Sequence, residues 1–184
     1  MVVGIIIAVV VVLLIIWIIT SYNGFVSLRN KTEEAFSAMD VSLKKRYDLI
    51  PNYVETVKGY AKHESQTLEK VIAARNSAMG ASSPQERVES ENVLSGALKS
   101  LFAVAESYPD LKANENFMSL QNQLNRLEEE IAGSRRYYNG VVNKYNTKTE
   151  MFPGNILAGI FHFERKPLFV VDNSEERQNV KVQF

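Results

Sequence analysis

The sequence predicts an all-α chain, with an N-terminal transmembrane helix followed by long amphipathic helices and a short irregular C-terminal segment. Three observations carry this reading. Residues 2–19 are apolar at every position except Gly4, and the first charged side chain is Arg29. Beyond them, apolar residues recur at steps of three and four over most of the chain, the spacing of helices with one buried stripe. The sequence holds no cysteine, so disulfides, thiolate metal sites and cysteine nucleophiles play no part.

These eighteen residues at about 1.5 Å rise make a rod of roughly 27 Å, close to the ~30 Å hydrocarbon layer of a bilayer. Val, Ile and Leu all round leave no polar face, so the segment is expected to span the membrane rather than lie on it. Val2, Ile5, Val9, Leu13, Trp17 and Ile19 are the anchoring side chains. A cleaved signal peptide would carry Lys or Arg ahead of a shorter apolar run and a small-x-small site. The run instead opens Met1-Val2-Val3 and closes Thr20-Ser21-Tyr22-Asn23, which predicts an uncleaved anchor. Arg29 and Lys31 follow the span, with Lys44, Lys45 and Arg46 further on. Positive side chains stay on the cytoplasmic side, so the N-terminus is expected outside and the remainder in the cytoplasm.

About 160 residues follow the anchor, enough for one core. Lys plus Arg and Asp plus Glu number 21 each, so no net field recruits nucleic acid or an acidic substrate. The first stripe runs Phe25, Leu28, Thr32, Phe36, Met39, Leu43, Tyr47, Ile50, Val54, Val57, Ala61, Glu64, Leu68, Ile72 and stays in phase across Pro51. It predicts one long helix bent at Pro51 and ended by Met79-Gly80, with the Tyr47 carbonyl deprived of its helical partner. Ser83-Pro84-Gln85-Glu86 announces a second helix through a capping box and a proline at its first position. Val88, Leu94, Leu98, Leu101, Phe102 and Ala105 form its buried side, and Pro109 stops it. The third helix starts between Asp110 and Glu115, and its heptad-spaced stripe runs Phe117, Leu120, Leu124, Leu127, Ile131, Ser134, Tyr138, Val141, Tyr145. Phe152-Pro153-Gly154-Asn155 signals a turn, followed by the apolar Ile156, Leu157, Ile160, Phe161 and Phe163. Val180-Lys181-Val182-Gln183-Phe184 alternates like a strand.

Ordered segments along nearly the whole chain resemble the LemA family of bacterial single-span membrane proteins. They include Ala35-Phe36, Lys45-Arg46-Tyr47-Asp48-Leu49-Ile50-Pro51-Asn52, Val57-Lys58-Gly59-Tyr60-Ala61 with His63-Glu64, Tyr108-Pro109-Asp110-Leu111, Arg136-Tyr137-Tyr138-Asn139, Tyr145-Asn146 and the closing Val180-Lys181-Val182-Gln183-Phe184. The resemblance implies an up-and-down four-helix bundle of long helices on the anchor, with the short N-terminus outside, at the bacterial plasma membrane. It supplies no reaction. The sequence shows three long helical patterns, so a fourth is sought in residues 108–116 or 156–163. The expected organisation is an anchor over residues 1–20, a bundle over 21–150 and an apolar turn and tail over 151–184.

Candidates for chemistry are sparse. His63 and His162 are the only histidines, no HExxH stands on a helix, and no Glu-x-x-His of a dimetal bundle occurs. Neither a nucleophile elbow nor a glycine-rich phosphate loop is present. No cofactor and no metal is therefore expected, and catalysis is disfavoured, with Asp48, His63 and Glu64 as the set a metal-dependent hydrolase would use. Asp40, Asp48, Glu64, Glu129 and Glu130 on or near the stripes are expected to pair with Arg46, Arg75, Arg135 or Arg136 and so fix register. Arg46, Asp48, Asn52, His63, Glu64, Arg136, Tyr138, Asn139, Tyr145 and Asn146 are the candidate register or interaction residues. The Tyr-Asn pairs read as a polar layer aligning helices or as a partner-facing groove. Phe152, Ile156, Ile160, Phe161 and Phe163, flanked by Arg165 and Lys166, either rest on the membrane interface, mediate self-association or close the end of the bundle. The expected role is a non-catalytic interaction module with three kinds of partner: the lipid bilayer, copies of itself and other membrane proteins.

Overall fold

A computed structural model describes residues 1–170. Its helices are α1 (Val2–Tyr60), α2 (Ser65–Gly80), α3 (Pro84–Glu106), α4 (Pro109–Lys112), α5 (Glu115–Glu150) and α6 (Gly154–Ile160), and no strand occurs among the described residues. The chain is all-α, as the periodicity predicts. The alternating segment at residues 180–184 lies outside the described residues.

Pro51 sits inside α1 without ending it. Proline has no N–H, so the Tyr47 carbonyl one turn earlier loses its helical donor. Arg75 of α2 replaces it, its Nε donating to the Tyr47 oxygen at 2.6 Å. That bond also shows where the first stripe misleads. The expected single helix to Gly80 is in fact two, because α1 stops at Tyr60 and α2 starts at Ser65. Ala61 is wholly buried at the turn, with its N–H on the Val57 carbonyl at 2.8 Å and its own carbonyl accepting from the Glu64 N–H at 3.2 Å. Val57, Ala61 and Leu68 all face one core, so the apolar phase carries through a tight hairpin as it would through a bend. The separate helix α2 therefore comes out of the first stripe, while residues 108–116 and 156–163 hold only the short α4, the start of α5 and α6.

The other boundaries follow their caps. Ser83 Oγ accepts from the Glu86 N–H at 3.1 Å, the Glu86 carboxylate accepts from the Ser83 N–H at 3.3 Å, and Pro84 opens α3. Pro109 opens α4 after α3 has ended, and Asn114 caps α5 by accepting from the Phe117 N–H at 2.9 Å. At the end of α6, His162 adopts φ 55°, and the Phe163 N–H reaches back to the Ala158 carbonyl at 2.9 Å. This is a Schellman closure, with buried Phe163 and Ala158 as its apolar contact. Gly154 is obligatory at the start of α6, since a Cβ there would stand 2.6 Å from the Lys148 carbonyl oxygen.

The chain forms two compact units. The first comprises Met1–Val41 and Ala132–Leu168. Its core is Phe25, Tyr145, Leu157, Ala158 and Phe163, with Trp17, Val26 and Leu28 packed on it. The Phe25 and Phe163 rings stack at 4.8 Å, and Phe36 meets Tyr138 edge-on at 5.7 Å. Residues 2–19 are exposed except for half-buried Trp17, and the helix is long and apolar enough to cross a membrane.

The second unit comprises Ser42–Ile131 together with the described residues from 169 onward. Segments of α1, α2, α3 and α5 share its core. Tyr53 of α1 meets Phe102 of α3 at 5.6 Å and Phe117 of α5 at 5.1 Å, and α2 packs on α3.

Ser83→Ala is expected to lower unfolding stability by about 1 kcal/mol. The Ser82 and Ser83 donors hold the Glu86 carboxyl below its usual range. Its contribution is therefore present above the ordinary carboxylate pKa and lost as pH falls through the depressed one. Thermal melts of both the parent and the Ser83→Ala variant across acidic pH check the cap and its titration together.

Candidate functional site

The most conspicuous polar arrangement lies in the second unit. Arg46 is 1% exposed, yet it carries a full charge. Its Nη2 bonds the buried Glu91 carboxylate, and its Nη1 donates to Glu128 Oε1 at 2.7 Å. The other oxygen of Glu91 accepts from the Tyr47 hydroxyl. Arg46 and Tyr47 of α1 therefore clasp one carboxylate of α3, while Arg46 also reaches α5. Through the Tyr47 carbonyl, Arg75 brings α2 into the same cluster. Removing a charge pair from water costs several kcal/mol per ion, and only such multiple, well-directed bonds offset it. Chemically, the cluster orients four helical segments.

The first unit holds a second arrangement. Asn146 is buried and uses both ends of its amide on one residue: Nδ2 donates to the Lys166 carbonyl and Oδ1 accepts from the Lys166 N–H, each at 2.9 Å. The asparagine thus acts as a strand partner would for the extended chain after α6. The Tyr138 hydroxyl donates to the Pro167 carbonyl at 2.9 Å, Arg165 pairs with Glu150 at 2.9 Å, and Lys166 reaches Glu33 at 3.3 Å. Burial raises the hydroxyl pKa of both Tyr138 and Tyr145. At the other end of this core, Lys148 lies over the Phe25 ring at 4.6 Å and donates to the Ser21 carbonyl at 3.2 Å. Burial lowers its pKa, and a Cβ on Gly24 would collide with its ammonium.

The sequence candidates divide accordingly. Arg46, Tyr138, Tyr145 and Asn146 are buried parts of these two arrangements. Asp48 is exposed beside Lys44 at 3.4 Å, Asn52 and Arg136 are exposed, and Asn139 is half-buried. His63 is exposed and Glu64 half-buried in the α1–α2 turn, away from Asp48 on the helix. No three His, Asp or Glu side chains gather in a metal-holding group among the described residues. For two of the arginines the partners differ from those expected: Arg46 takes Glu91 and Glu128, and Arg75 takes the Tyr47 carbonyl and Asn76. Glu130 meets Lys45 at 3.8 Å on the surface. Phe163 is buried, whereas Phe152, Ile156, Ile160 and Phe161 are exposed.

Glu91 and Glu128 were missed by sequence reasoning. Glu91 sits in phase with Leu94, Leu98, Leu101 and Ala105, so a carboxylate on the buried side of α3 was the available signal. For Glu128, beside the stripe residue Leu127, no comparable signal exists.

Comparison with known proteins adds the following. A model described as the LemA family matches residues 35–184. Protein LemA of Metamycoplasma hominis is 28% identical over 140 residues, covering 74% of this chain and 63% of the relative. Magnetosome protein MamQ 2 of Paramagnetospirillum magneticum is 26% identical over 174 residues, covering 80% of this chain and 64% of the relative. Magnetosome protein MamQ of Magnetospirillum gryphiswaldense is 24% identical over the same length, again at 80% and 64% coverage. The chain thus spans less than two thirds of the length of the curated relatives it matches.

Two stability measurements follow from the buried cluster. Arg46→Ala leaves Glu91 buried and uncompensated and is expected to cost about 3–5 kcal/mol in denaturant unfolding. Tyr53→Phe removes a hydroxyl that is buried without a hydrogen-bond partner. It is expected to leave stability unchanged or to raise it by up to about 1 kcal/mol.

Proposed function

The chain belongs to the LemA family, and we propose that it works as a non-catalytic, membrane-anchored helical scaffold that self-associates at the bacterial inner membrane. One observation carries this reading. The apolar residues 2–19 and Phe25, wholly buried in the core of the first unit, stand on one unbroken helix, Val2–Tyr60, with no loop between the anchor and that core. A helix that leaves the bilayer and enters a packed core without a hinge suits a protein that holds a surface at fixed height above the membrane. The charges at Arg29 and Lys31 just beyond the span support an N-terminus outside and a cytoplasmic body.

The buried groups support the same reading. Arg46, Glu91, Glu128 and Tyr47 are bonded to one another, and Asn146 and Tyr138 are bonded to the chain's own backbone. Such groups set register and hold segments in place.

A second reading is membrane remodelling by oligomers. The exposed apolar residues Phe152, Ile156 and Ile160 favour it.

The scaffold reading is tested by crosslinking the full-length protein in its native membrane, then gentle extraction, sizing and mass spectrometry. A discrete homo-oligomer with a recurring membrane-protein partner is expected. A monomer without partners would overturn the proposal.

A further inference from the structure

The short helix α6 divides cleanly into two faces. Leu157 and Ala158 are buried against Phe25 and Tyr145, and Phe163 folds in beside them through the Schellman closure. Ile156 and Ile160, four residues apart on α6, form the opposite row and are 51% and 62% exposed, and Phe152, in the turn before the helix, is 79% exposed. Phe161 adds a further exposed ring. A helical row of this kind has no partner within its unit, and contiguous exposed apolar surface marks an interaction site.

What covers it is indicated by where α6 is seated. Its buried side belongs to the same core on which Trp17 packs, and Trp17 lies within the apolar run of residues 2–19. Tyr22, three residues past that run, meets Phe161 edge-on at 4.9 Å and Phe163 at 5.7 Å. The Lys148 ammonium rests on the Ser21 carbonyl at the same level. Trp and Tyr flanked by a lysine, at the end of a membrane span, are the groups that settle at the water–lipid boundary. Through Phe161 and Tyr22, the segment that carries the outward row packs against α1 close to where its apolar run ends.

We propose that α6 is a second membrane contact: Phe152, Ile156, Ile160 and Phe161 insert into the headgroup–acyl boundary of the bilayer that the anchor crosses. Inward packing of Leu157 and Phe163 then fixes the angle at which α1 leaves the membrane, because the helix is held to the lipid surface at a second point beyond its span. The occupant is lipid, and the shallow, one-sided apolar face has the character of an interfacial segment.

The inference rests on reading residues 2–19 as a span, and one experiment separates the two claims. The absence of native cysteine allows single labels on the full chain reconstituted in phosphatidylcholine vesicles. An environment-sensitive fluorophore is placed in turn through Ile156→Cys, Ile160→Cys, Val10→Cys and, as a water reference on exposed α1, Glu34→Cys. All four positions are on the surface, so folding is retained. The expected result is blue-shifted emission at Ile156 and Ile160, quenched more by nitroxides on shallow acyl carbons than by deep ones, and unchanged on dilution with unlabelled protein. A water-like spectrum at Ile156 and Ile160 with a dry Val10 would overturn the interfacial seat and leave the span standing. A wet Val10 would overturn both. Blue-shifted emission at Ile156 that responds to unlabelled protein but not to lipid quenchers would assign the row to a second copy of the chain, and so also overturn the proposal.

Discussion

The charge of Arg46 is the constraint on which the second unit depends. A guanidinium cannot shed its proton to escape burial, so a sequence that places Arg beside the inward stripe of α1 must bring carboxylates to it. Glu91 of α3 and Glu128 of α5 meet that demand. Apolar stripes alone tolerate sliding by a turn, because Leu against Leu is nearly as good in the next register. A buried cation with two directed partners does not tolerate it, since any slip strands a charge in a medium that cannot solvate it. The cluster therefore specifies the alignment of helices whose apolar faces would accept several.

The same logic runs through smaller groups nearby. Pro51 removes one donor from α1, and the freed Tyr47 carbonyl becomes the acceptor that draws Arg75 of α2 back along the hairpin. Tyr47 thus contributes its backbone to one neighbour and its hydroxyl to another. In the first unit Asn146 takes the corresponding role, replacing a missing strand with its own amide so that the extended chain after α6 has its backbone satisfied at Lys166. Polar groups at these points convert amphipathic helices into one arrangement.

Much of this was legible in the residues. The apolar run, the capping box at Ser83 and Glu86 with Pro84 behind it, and the stripe of α5 all state their structural meaning locally, since each depends on groups within a turn or two. The hairpin at Ala61 was not legible, because a stripe that faces one core on both sides of a tight turn keeps its period while the chain reverses. The partners of Arg46 were not legible either: periodicity reports which face is buried, whereas ion pairing depends on which positions of separate helices come level. Tyr138 and Asn146 were recognised as distinctive, but that they grip the chain's own residues 166 and 167 is long-range information. The apolar segment around α6 could be read as closing a core or as facing lipid. It does the first with Leu157 and Phe163 while leaving a separate row exposed.

Whether Arg46 and Glu91 act as a register-setting pair is tested most directly by a double-mutant cycle with Arg46→Met and Glu91→Leu, measured by reversible denaturant unfolding of the full chain. Arg46→Met strands the buried Glu91 carboxylate and Glu91→Leu leaves Arg46 with Glu128 alone, while the double change replaces the pair with apolar volume. The account predicts that the double variant recovers most of the stability each single variant loses, with a coupling of about 2 kcal/mol or more. Losses that simply add, with coupling near zero, would contradict it.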